Sequence, residues 1–337
     1  MSYTVTFQNY SKSFMVEENE LILDAAIRQG INFPYTCTKG FCGACKGELL
    51  SGEIEYVKEP KKLERLAESE KTELTSLFCS CIAKSNLLID IKIIDELENI
   101  TVDNYPVKIV ELLKLAPDVL MIKLKLPENR VFNFLPGQYI DILLENEKRR
   151  SFSLANSLVN NQYLELHIRL VENGYFTPDL FKNYNQGDIL RIEGPHGAFF
   201  HKKNNRPMIF IAGGTGFAPV KSIVEQLIND NNNLPIFIYW GVRDIVDLYL
   251  PELPQLWANV HHNISYQAVL SQNTDSHWLG KTGYVHEALL KDFDSFDKYD
   301  VYASGPPAMI EAIKSELLKK GLNLDNFYFD SFDYAEE

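Results

Sequence analysis

Three cysteines within nine residues constrain this chain more than any other feature of its sequence. Cys37, Cys42 and Cys45 follow a C-x4-C-x2-C spacing, with Gly40 and Gly43 between them. Thiolates on so tight a loop can wrap around one metal cluster, and glycines let backbone N–H groups approach the sulfurs because no Cβ stands in the way. The spacing is that of a loop that ligates a [2Fe-2S] cluster.

Cys79 and Cys81 lie further along the chain and offer a fourth ligand. Two residues apart on a strand they would share a face, so Cys81 competes with Cys79. Zinc is the rival metal, but zinc sites usually pair their ligands as two C-x2-C knuckles, and this sequence has one such pair. None of the seven histidines has cluster spacing, and scattered buried thiols are the remaining alternative.

The composition excludes several classes of partner. A chain of 337 residues is long enough for two or three domains. The net charge of -13 argues against nucleic acid and against an anionic membrane surface, because phosphate binding needs an excess of Lys and Arg. No apolar run approaches the roughly 20 residues of a membrane span, and the N-terminus lacks the order of a signal peptide. We therefore expect a cytoplasmic protein, where clustered cysteines favour metal or redox chemistry over disulfides.

Local patterns divide the chain. Residues 3–8 and 13–16 alternate apolar and polar and predict a β-hairpin, and 21–29 predicts a helix ending at Gly30. A polar, acidic stretch suggests a linker over 96–105. Strands are predicted over 107–115, 118–126, 138–144, 150–155, 162–171 and 187–193, and this density favours a small antiparallel barrel.

One of these strands carries a cation, an aromatic ring and hydroxyls, in Arg150, Ser151, Phe152 and Ser153. A guanidinium can neutralise a pyrophosphate, an aromatic ring can stack near a flavin, and a hydroxyl can hydrogen-bond the ring edge that accepts hydride. Alone, the motif fits any edge strand. The cysteine loop upstream and a glycine-rich turn downstream favour the flavin interpretation.

A second phosphate-binding position is predicted near Gly174. This glycine, with Thr177 as N-cap and Pro178 at the first helical position, predicts a helix whose N-terminus can seat a phosphate. An ordinary capped helix without ligand is the alternative. On the strand over 162–171 we also count His167 among the expected cofactor-binding residues.

Beyond position 206 the pattern changes to buried parallel strands. An apolar run over 208–212 is followed by a glycine turn and a predicted helix over 220–228, a unit that cradles phosphates. Strands at 235–240, 264–270 and 299–303 predict a doubly wound α/β domain. The expected nucleotide-binding residues, at the carboxyl ends of these strands, are Gly213, Gly214, Thr215, Gly216, Pro219, Gly305 and Pro306.

Residues 1–95 resemble a plant-type ferredoxin domain, with the cysteine loop as the main signature. The segment Leu77-Phe78-Cys79, followed by Ser85-Asn86, resembles the strand that brings the fourth ligand in that family. The resemblance implies Cys79 as the ligand and leaves Cys81 over.

The remaining chain resembles the ferredoxin–NADP reductase superfamily. The segment from Arg150 to Ser153 resembles its flavin motif, with Phe152 in place of the commoner Tyr. The segments 174–177, 213–219 and 305–307 resemble its flavin-phosphate and nicotinamide-nucleotide motifs. Ser304 stands where many members carry a cysteine, which puts a thiol role there in doubt. In the tail, Phe332 or Tyr334 would be the aromatic that shields the flavin.

These resemblances imply a multidomain fold of α+β and α/β type. Its parts are a β-grasp ferredoxin domain over 1–95, a linker over 96–105, an antiparallel flavin-binding β-barrel over 106–204 and a doubly wound parallel nucleotide-binding sheet over 205–337. The implied cofactors are a [2Fe-2S] cluster, FAD and NADH or NADPH.

The domain order resembles the reductase components of multicomponent oxygenases and, equally, the reductase that serves CDP-6-deoxyhexose biosynthesis. A flavin can take two electrons as hydride and release them singly to a cluster. We therefore expect electrons to pass from NAD(P)H to FAD, to the cluster and to a partner protein, with Ser153 as the catalytic residue that hydrogen-bonds near the flavin atom that accepts hydride. The partner would be a deoxysugar dehydrase, slightly favoured, or an oxygenase.

Three choices stay open at this point. NADPH-selective members of the resembled family place a cation beside the serine that Ser271 matches; none stands there, so the resemblance favours NADH, although Lys281 or Arg243 could supply the charge. A non-catalytic electron carrier that has lost flavin is disfavoured by the intact flavin and nucleotide motifs. A redox sensor would show negligible turnover with artificial acceptors.

Overall fold

The computed structural model describes residues 2–36, 38, 40, 42–57, 60, 72–145, 148–160 and 162–332. The chain divides into two compact units, Met1–Asp103 with Pro195–Ala198, and Asn104–Gly194 with Phe199–Glu337. The boundaries predicted between three domains stay a prediction.

The first unit is built on a five-stranded mixed sheet with the order β2-β1-β7-β3-β5, beside a two-stranded sheet of β4 and β6. β1 pairs antiparallel with β2, which confirms the predicted hairpin, and parallel with β7. The predicted helix is α1, which ends before Gly30, where φ is +71°. The elements are β1 (Ser2–Phe7), β2 (Ser13–Glu17), α1 (Ile22–Arg28), β3 (Lys46–Ser51), β4 (Ile54–Tyr56), β5 (Thr75–Leu77), β6 (Cys81–Ala83) and β7 (Leu87–Asp90).

A six-stranded sheet with the order β11-β10-β13-β8-β9-β12 opens the second unit. Its two edge strands meet through a bridge between Leu154 and Leu166, so the sheet closes into the predicted barrel around one apolar core. The elements are β8 (Asp103–Ala116), β9 (Val119–Lys125), β10 (Tyr139–Leu143), β11 (Arg149–Ser153), β12 (Leu164–Arg169), α2 (Thr177–Asn183) and β13 (Ile189–His196).

β8 begins inside the stretch predicted as a linker. Tyr105 and Val107 are buried and alternate with exposed neighbours, which is the pattern of a strand with one face in the core. The polar residues around Tyr105 concealed this alternation, so the linker prediction is wrong over 103–105.

A parallel sheet with the order β17-β16-β15-β14-β18-β19 completes the second unit. Phe210 packs into the apolar cluster on one face and Ile209 and Ile211 into that on the other, which confirms the doubly wound prediction. The elements are β14 (Met208–Gly213), α3 (Phe217–Asn229), β15 (Ile236–Val242), α4 (Glu252–Val260), β16 (Ile264–Leu270), β17 (Lys281–Thr282), α5 (Val285–Asp292), β18 (Asp300–Gly305), α6 (Pro307–Leu318) and β19 (Phe327–Ser331). Within the described residues, no helix combines the length and the apolar character needed to cross a membrane.

Candidate functional site

Three of the predicted cluster ligands lie together in the first unit. Cys42, Cys45 and Cys79 are buried, and a hydrogen bond joins the thiols of Cys45 and Cys79. This bond, with burial, raises the pKa of Cys45, whereas it lowers the pKa of Cys79. Cys37, the fourth predicted ligand, lies outside the described residues.

The loop around these thiols has the shape that a cluster needs. At Gly40 φ is +73°, and a Cβ there would lie 2.6 Å from Ser80 Oγ and 3.2 Å from Pro60 Cβ, so only glycine fits. The backbone N–H of Ala44 donates to Cys42 Sγ over 3.4 Å. Closely packed thiols with a backbone donor aimed at sulfur fit a [2Fe-2S] cluster.

Cys81 has a different hydrogen-bond partner from these thiols. Cys79 lies in the turn between β5 and β6, and β6 begins at Cys81, so the two cysteines do not alternate along one strand as the sequence suggested. The Cys81 thiol donates to the carbonyl oxygen of Leu77 over 3.5 Å. The geometry therefore brings Cys79, and not Cys81, to Cys45.

The flavin motif forms β11, where neighbouring residues point to opposite faces of the sheet. Phe152 packs against the barrel core, with its ring centroid 6.0 Å from that of Phe176, and Arg150 shares its face. Ser151 and Ser153 point the other way, and Ser151 Oγ donates to Asp141 Oδ1 over 2.5 Å. The four residues are contiguous but do not line a single face.

Ser153, the predicted catalytic residue, is buried and donates to Asp330 Oδ2 over 3.0 Å. Asp330 was not predicted as a site residue, although a carboxylate inside the apolar segment 327–331 was the available signal. β18 and β19 pair Asp330 with Ser304, whose buried hydroxyl has no hydrogen-bond partner among the described residues. A buried hydroxyl without a partner at the carboxyl end of a parallel sheet is consistent with a ligand site.

The second flavin-phosphate motif differs from its prediction. α2 begins at Thr177 with Phe176 at the N-cap position, and no side chain caps the helix. Thr177 Oγ1 instead accepts from the N–H of Val171 over 2.9 Å and lies 3.2 Å from its carbonyl oxygen. The hydroxyl closes the loop that contains Gly174, so the N-cap prediction for Thr177 is wrong.

The predicted nucleotide residues meet at the carboxyl ends of β14 and β18. A Cβ at Gly216 would lie 2.2 Å from the carbonyl oxygen of Ser304, and a Cβ at Gly305 would lie 3.2 Å from Gly213 Cα, so the two turns pack backbone to backbone. Thr215 is half-buried in the turn, Pro219 is buried in the first turn of α3, and Pro306 precedes α6.

The indole of a tryptophan is hydrogen-bonded to this turn. Trp240 Nε1 donates to the carbonyl oxygen of Gly214 over 2.9 Å, and its ring stacks on Phe217 at 4.0 Å between centroids. Because the indole N–H binds this carbonyl oxygen, the peptide group of Gly214 is fixed in one orientation.

A cation that the sequence did not predict lies beside the turn. Nη1 of Arg169, at the end of β12, lies 3.3 Å from the Cβ position of Gly214. Its Nε lies 3.2 Å from Asp118 Oδ2 and its Nη2 3.5 Å from Asp247 Oδ1. No local pattern marks Arg169, because its relation to the turn comes from the packing of barrel on sheet.

His167 belongs to a buried polar network. Its Nδ1 lies 3.1 Å from the Tyr249 hydroxyl and its Nε2 3.0 Å from Glu165 Oε1. Burial lowers the pKa of His167, although the hydrogen bond to Glu165 opposes this. With both ring nitrogens engaged, a direct flavin contact from His167 stays a prediction.

The residues predicted to shield the flavin or to select between NADH and NADPH have the following neighbours. The N–H of Phe332 donates to the carbonyl oxygen of Gly305 over 3.0 Å, which keeps Phe332 next to the nucleotide turn, whereas Tyr334 lies outside the described residues. Lys281 pairs with Asp292 over 2.7 Å. Arg243 is exposed, and its carbonyl oxygen accepts from the N–H of Gln272, the residue after Ser271.

Comparisons with known proteins agree with this arrangement. Residues 5–84 match the 2Fe-2S iron-sulfur cluster binding domain, 106–201 the oxidoreductase FAD-binding domain and 210–315 the oxidoreductase NAD-binding domain. The chain is 39% identical over 332 residues to the CDP-6-deoxy-L-threo-D-glycero-4-hexulose-3-dehydrase reductase of Yersinia pestis, covering 98% of this chain and 99% of the relative. It is 34% identical to the phenol hydroxylase P5 protein of Acinetobacter pittii, covering 96% and 92%.

Among solved structures, the cytochrome P450 reductase GcoB of Amycolatopsis matches with a TM-score of 0.82 and 26% identity, covering 98% of each chain. The relatives and domain matches show an NAD(P)H-dependent oxidoreductase in which electrons pass through FAD and a [2Fe-2S] cluster to an electron-accepting partner. The chain therefore belongs to the family of iron–sulfur flavoprotein reductases that includes CDP-6-deoxy-hexulose-3-dehydrase reductases and the reductase components of oxygenases.

Proposed function

We propose that this reductase delivers electrons from NADH to a CDP-6-deoxy-hexulose 3-dehydrase. The observation that carries the proposal is the 39% identity to the Yersinia pestis reductase over nearly the full length of both chains, against 34% for the phenol hydroxylase relative. A cytoplasmic location, without a nucleic-acid or membrane partner, belongs to the same proposal, as do the predicted domain boundaries with the linker ending before β8 begins at Asp103.

In this proposal the cluster is held by Cys37, Cys42, Cys45 and Cys79. The contact between the Cys45 and Cys79 thiols and the glycine at position 40 support the assignment. Its chemistry is one-electron transfer to the partner.

The flavin is proposed to lie against β11. Arg150 would neutralise its pyrophosphate, Phe152 would stack near the ring, and Ser153 would hydrogen-bond the ring edge. The buried Ser153–Asp330 hydrogen bond supports the last role, because it fixes the hydroxyl at the barrel–sheet junction. Ser151, Gly174, Thr177, His167 and Phe332 complete the proposed surroundings.

The nicotinamide nucleotide is proposed to bind at the two packed turns. Gly213 to Gly216, Gly305 and Pro306 would admit the pyrophosphate close to the backbone, and Pro219 would start the helix behind it. We add Arg169, because its guanidinium is a cation beside Gly214. Lys281 is engaged by Asp292, which supports NADH as the donor and leaves Arg243 as the residue to test.

A second candidate function is that of an oxygenase reductase component. The TM-score of 0.82 to a cytochrome P450 reductase, over 98% of both chains, supports this second candidate. The two candidates differ in the protein that accepts the electrons.

The test begins with anaerobic titration of the purified protein with NADH and then NADPH, followed by visible absorbance and EPR. We expect NADH to bleach the flavin and to produce the signal of a reduced cluster. The reduced protein is then mixed with a purified CDP-6-deoxy-hexulose 3-dehydrase or with a phenol hydroxylase oxygenase. Reoxidation by the oxygenase alone would contradict the proposed partner, and no reduction by either nucleotide would contradict the electron path.

A further inference from the structure

Helix α3, which begins directly after the glycine turn, carries a lysine inside the protein. Lys221 is only 8% exposed. Its Nζ lies 3.0 Å from the carbonyl oxygen of Ala155, 3.1 Å from Glu165 Oε1 and 3.0 Å from Glu225 Oε1. An ammonium group has three donors, so this set of partners uses all of them. Lysine is almost never this buried without partners, and the proposed hydride transfer does not use it.

One partner of Lys221, the carbonyl oxygen of Ala155, lies just beyond β11, the proposed flavin strand. Ala155 follows Ser153 by two positions, and its N–H donates to the carbonyl oxygen of Glu165 over 2.8 Å. The next residue of α3 repeats the contact, because Ser222 Oγ donates to the carbonyl oxygen of Asn156 over 2.7 Å. Two adjacent side chains of one helix thus hold two adjacent peptide groups just beyond Ser153.

The first residue of α3 contacts the nucleotide turn and its support. α3 starts at Phe217, immediately after the turn Gly214–Gly216, and Phe217 stacks on Trp240, which donates to the Gly214 carbonyl. Lys221 lies one helical turn beyond Phe217. A single rigid element therefore runs from the turn that would position the hydride donor to the strand that would position its acceptor.

We infer that Lys221 is a positioning residue that fixes the nucleotide turn at a set distance from the flavin strand. The inference rests on the proposed binding of NADH and FAD at these two elements. Displacement of reacting groups by about 1 Å can slow a reaction by about 100-fold, so a residue that sets this distance affects the rate of flavin reduction.

A polar network keeps Lys221 in place. Burial acts to raise the pKa of Glu165, but the hydrogen bond from His167 and the charge of Lys221 outweigh it and lower the pKa to about 2. Glu165 is therefore an anion that pairs with Lys221 from the barrel side, while Glu225 pairs with it from its own helix. The ammonium is held from two elements at once, which restricts it to one position.

The test compares Lys221→Met and Ser222→Ala with a matched control, Lys123→Met. Methionine keeps the length of the side chain and removes its three donors. Lys123 lies opposite Glu165 in the barrel sheet and pairs with Glu111 over 2.8 Å, so Lys123→Met removes a neighbouring charge without removing a bond to Ala155. Each protein is loaded with FAD and mixed anaerobically with NADH, and the limiting rate of flavin reduction and the Kd for NADH are measured.

We expect Lys221→Met to keep its FAD and a Kd for NADH within about twofold of wild type, and to lose about tenfold or more in the limiting rate. Ser222→Ala, a smaller change, should lose about two- to threefold, and Lys123→Met should match wild type. In the FAD-free proteins, hydrogen exchange of the amides over 154–158 should quicken in Lys221→Met and stay unchanged in Lys123→Met.

Wild-type limiting rates in both Lys221→Met and Ser222→Ala would overturn the inference, as would a loss confined to FAD content or to the Kd. If Lys221→Met does not fold, the rate and exchange of Ser222→Ala decide the question. A wild-type protein that NADH cannot reduce would instead contradict the proposed function. The positioning role of Lys221 would then be tested by the hydrogen exchange over 154–158 alone.

Discussion

The cluster loop of the first unit takes two of its thiols from positions only three residues apart, Cys42 and Cys45. In the second unit, Ser153 pairs with Asp330, 177 positions away, and Lys221 reaches back 66 positions to Ala155. The first site takes most of its proposed ligands from a short stretch of chain, whereas the other exists only after barrel and sheet have packed. The comparison teaches that these sites fail in different ways, the first through its own loop and the second through the packing of two layers.

The largest effect is expected where the local site loses a ligand. Replacing Cys45 by Ser removes a thiolate from the predicted set, so the cluster absorbance and its EPR signal should disappear completely. FAD binding and flavin reduction by NADH should persist, because that site is assembled elsewhere. Cys81→Ser is the matched control and should retain the cluster, and loss of the signal in that variant would reassign the fourth ligand.

Next in size is the loss of the cation at the long-range site. Arg169→Gln removes the charge beside Gly214, and a hydrogen bond to a charged group is worth about 1.5–3 kcal/mol, so the Kd for NADH should rise about tenfold to 100-fold. Stopped-flow titration measures it. The surface variant Lys319→Gln should not change the Kd, and an unchanged Kd in Arg169→Gln would remove this residue from the nucleotide site.

A smaller effect is expected at the hydride-accepting edge. Ser153→Ala deletes the hydroxyl and with it one neutral hydrogen bond, worth about 0.5–1.5 kcal/mol, and should slow flavin reduction about three- to tenfold with FAD still bound. Asp330→Asn keeps the shape of the acceptor and should slow the reaction less. Unchanged kinetics in Ser153→Ala would take the hydroxyl out of the mechanism.

The smallest effect tests the turn that carries Cys79. Ser80 Oγ lies 3.5 Å from Cys79 Sγ, and a thiolate there can only accept. Removing about 1 kcal/mol of stabilisation of the reduced cluster in Ser80→Ala should lower its potential by on the order of 40 mV. Dithionite titration followed by EPR measures this, with Ser85→Ala, whose hydroxyl accepts from Glu53, as the control. An equal shift in both variants would exclude a specific role for Ser80.

The same contrast explains what the sequence could predict. The β-hairpin, the strand–turn–helix around Gly213 and the alternating barrel strands depend on near neighbours, and these were predicted close to their observed positions, although α3 begins at Phe217, before its predicted start at 220. Asp330, Arg169 and Lys221 were missed because each acquires its partner from a distant element. No periodicity or spacing encodes such a contact.

Two local predictions were wrong because of competing hydrogen bonds or strand limits. The hydroxyl of Thr177 was available to cap a helix, but it binds the backbone of Val171 and closes a loop. Cys79 and Cys81 have strand spacing, yet β6 begins only at Cys81. In both cases the residue type was suited to the predicted role, and the course of the neighbouring backbone decided otherwise.

The tryptophan beneath the nucleotide turn gives this protein an intrinsic optical probe. Trp240 is fully buried and its indole N–H is bonded to the turn through Gly214. Indole emission responds to the local dipoles around the ring, so a movement of that carbonyl changes the colour or intensity of the light emitted. With the other two of its three tryptophans replaced by phenylalanine, the chain would signal the arrival of a ligand at the turn without any attached dye.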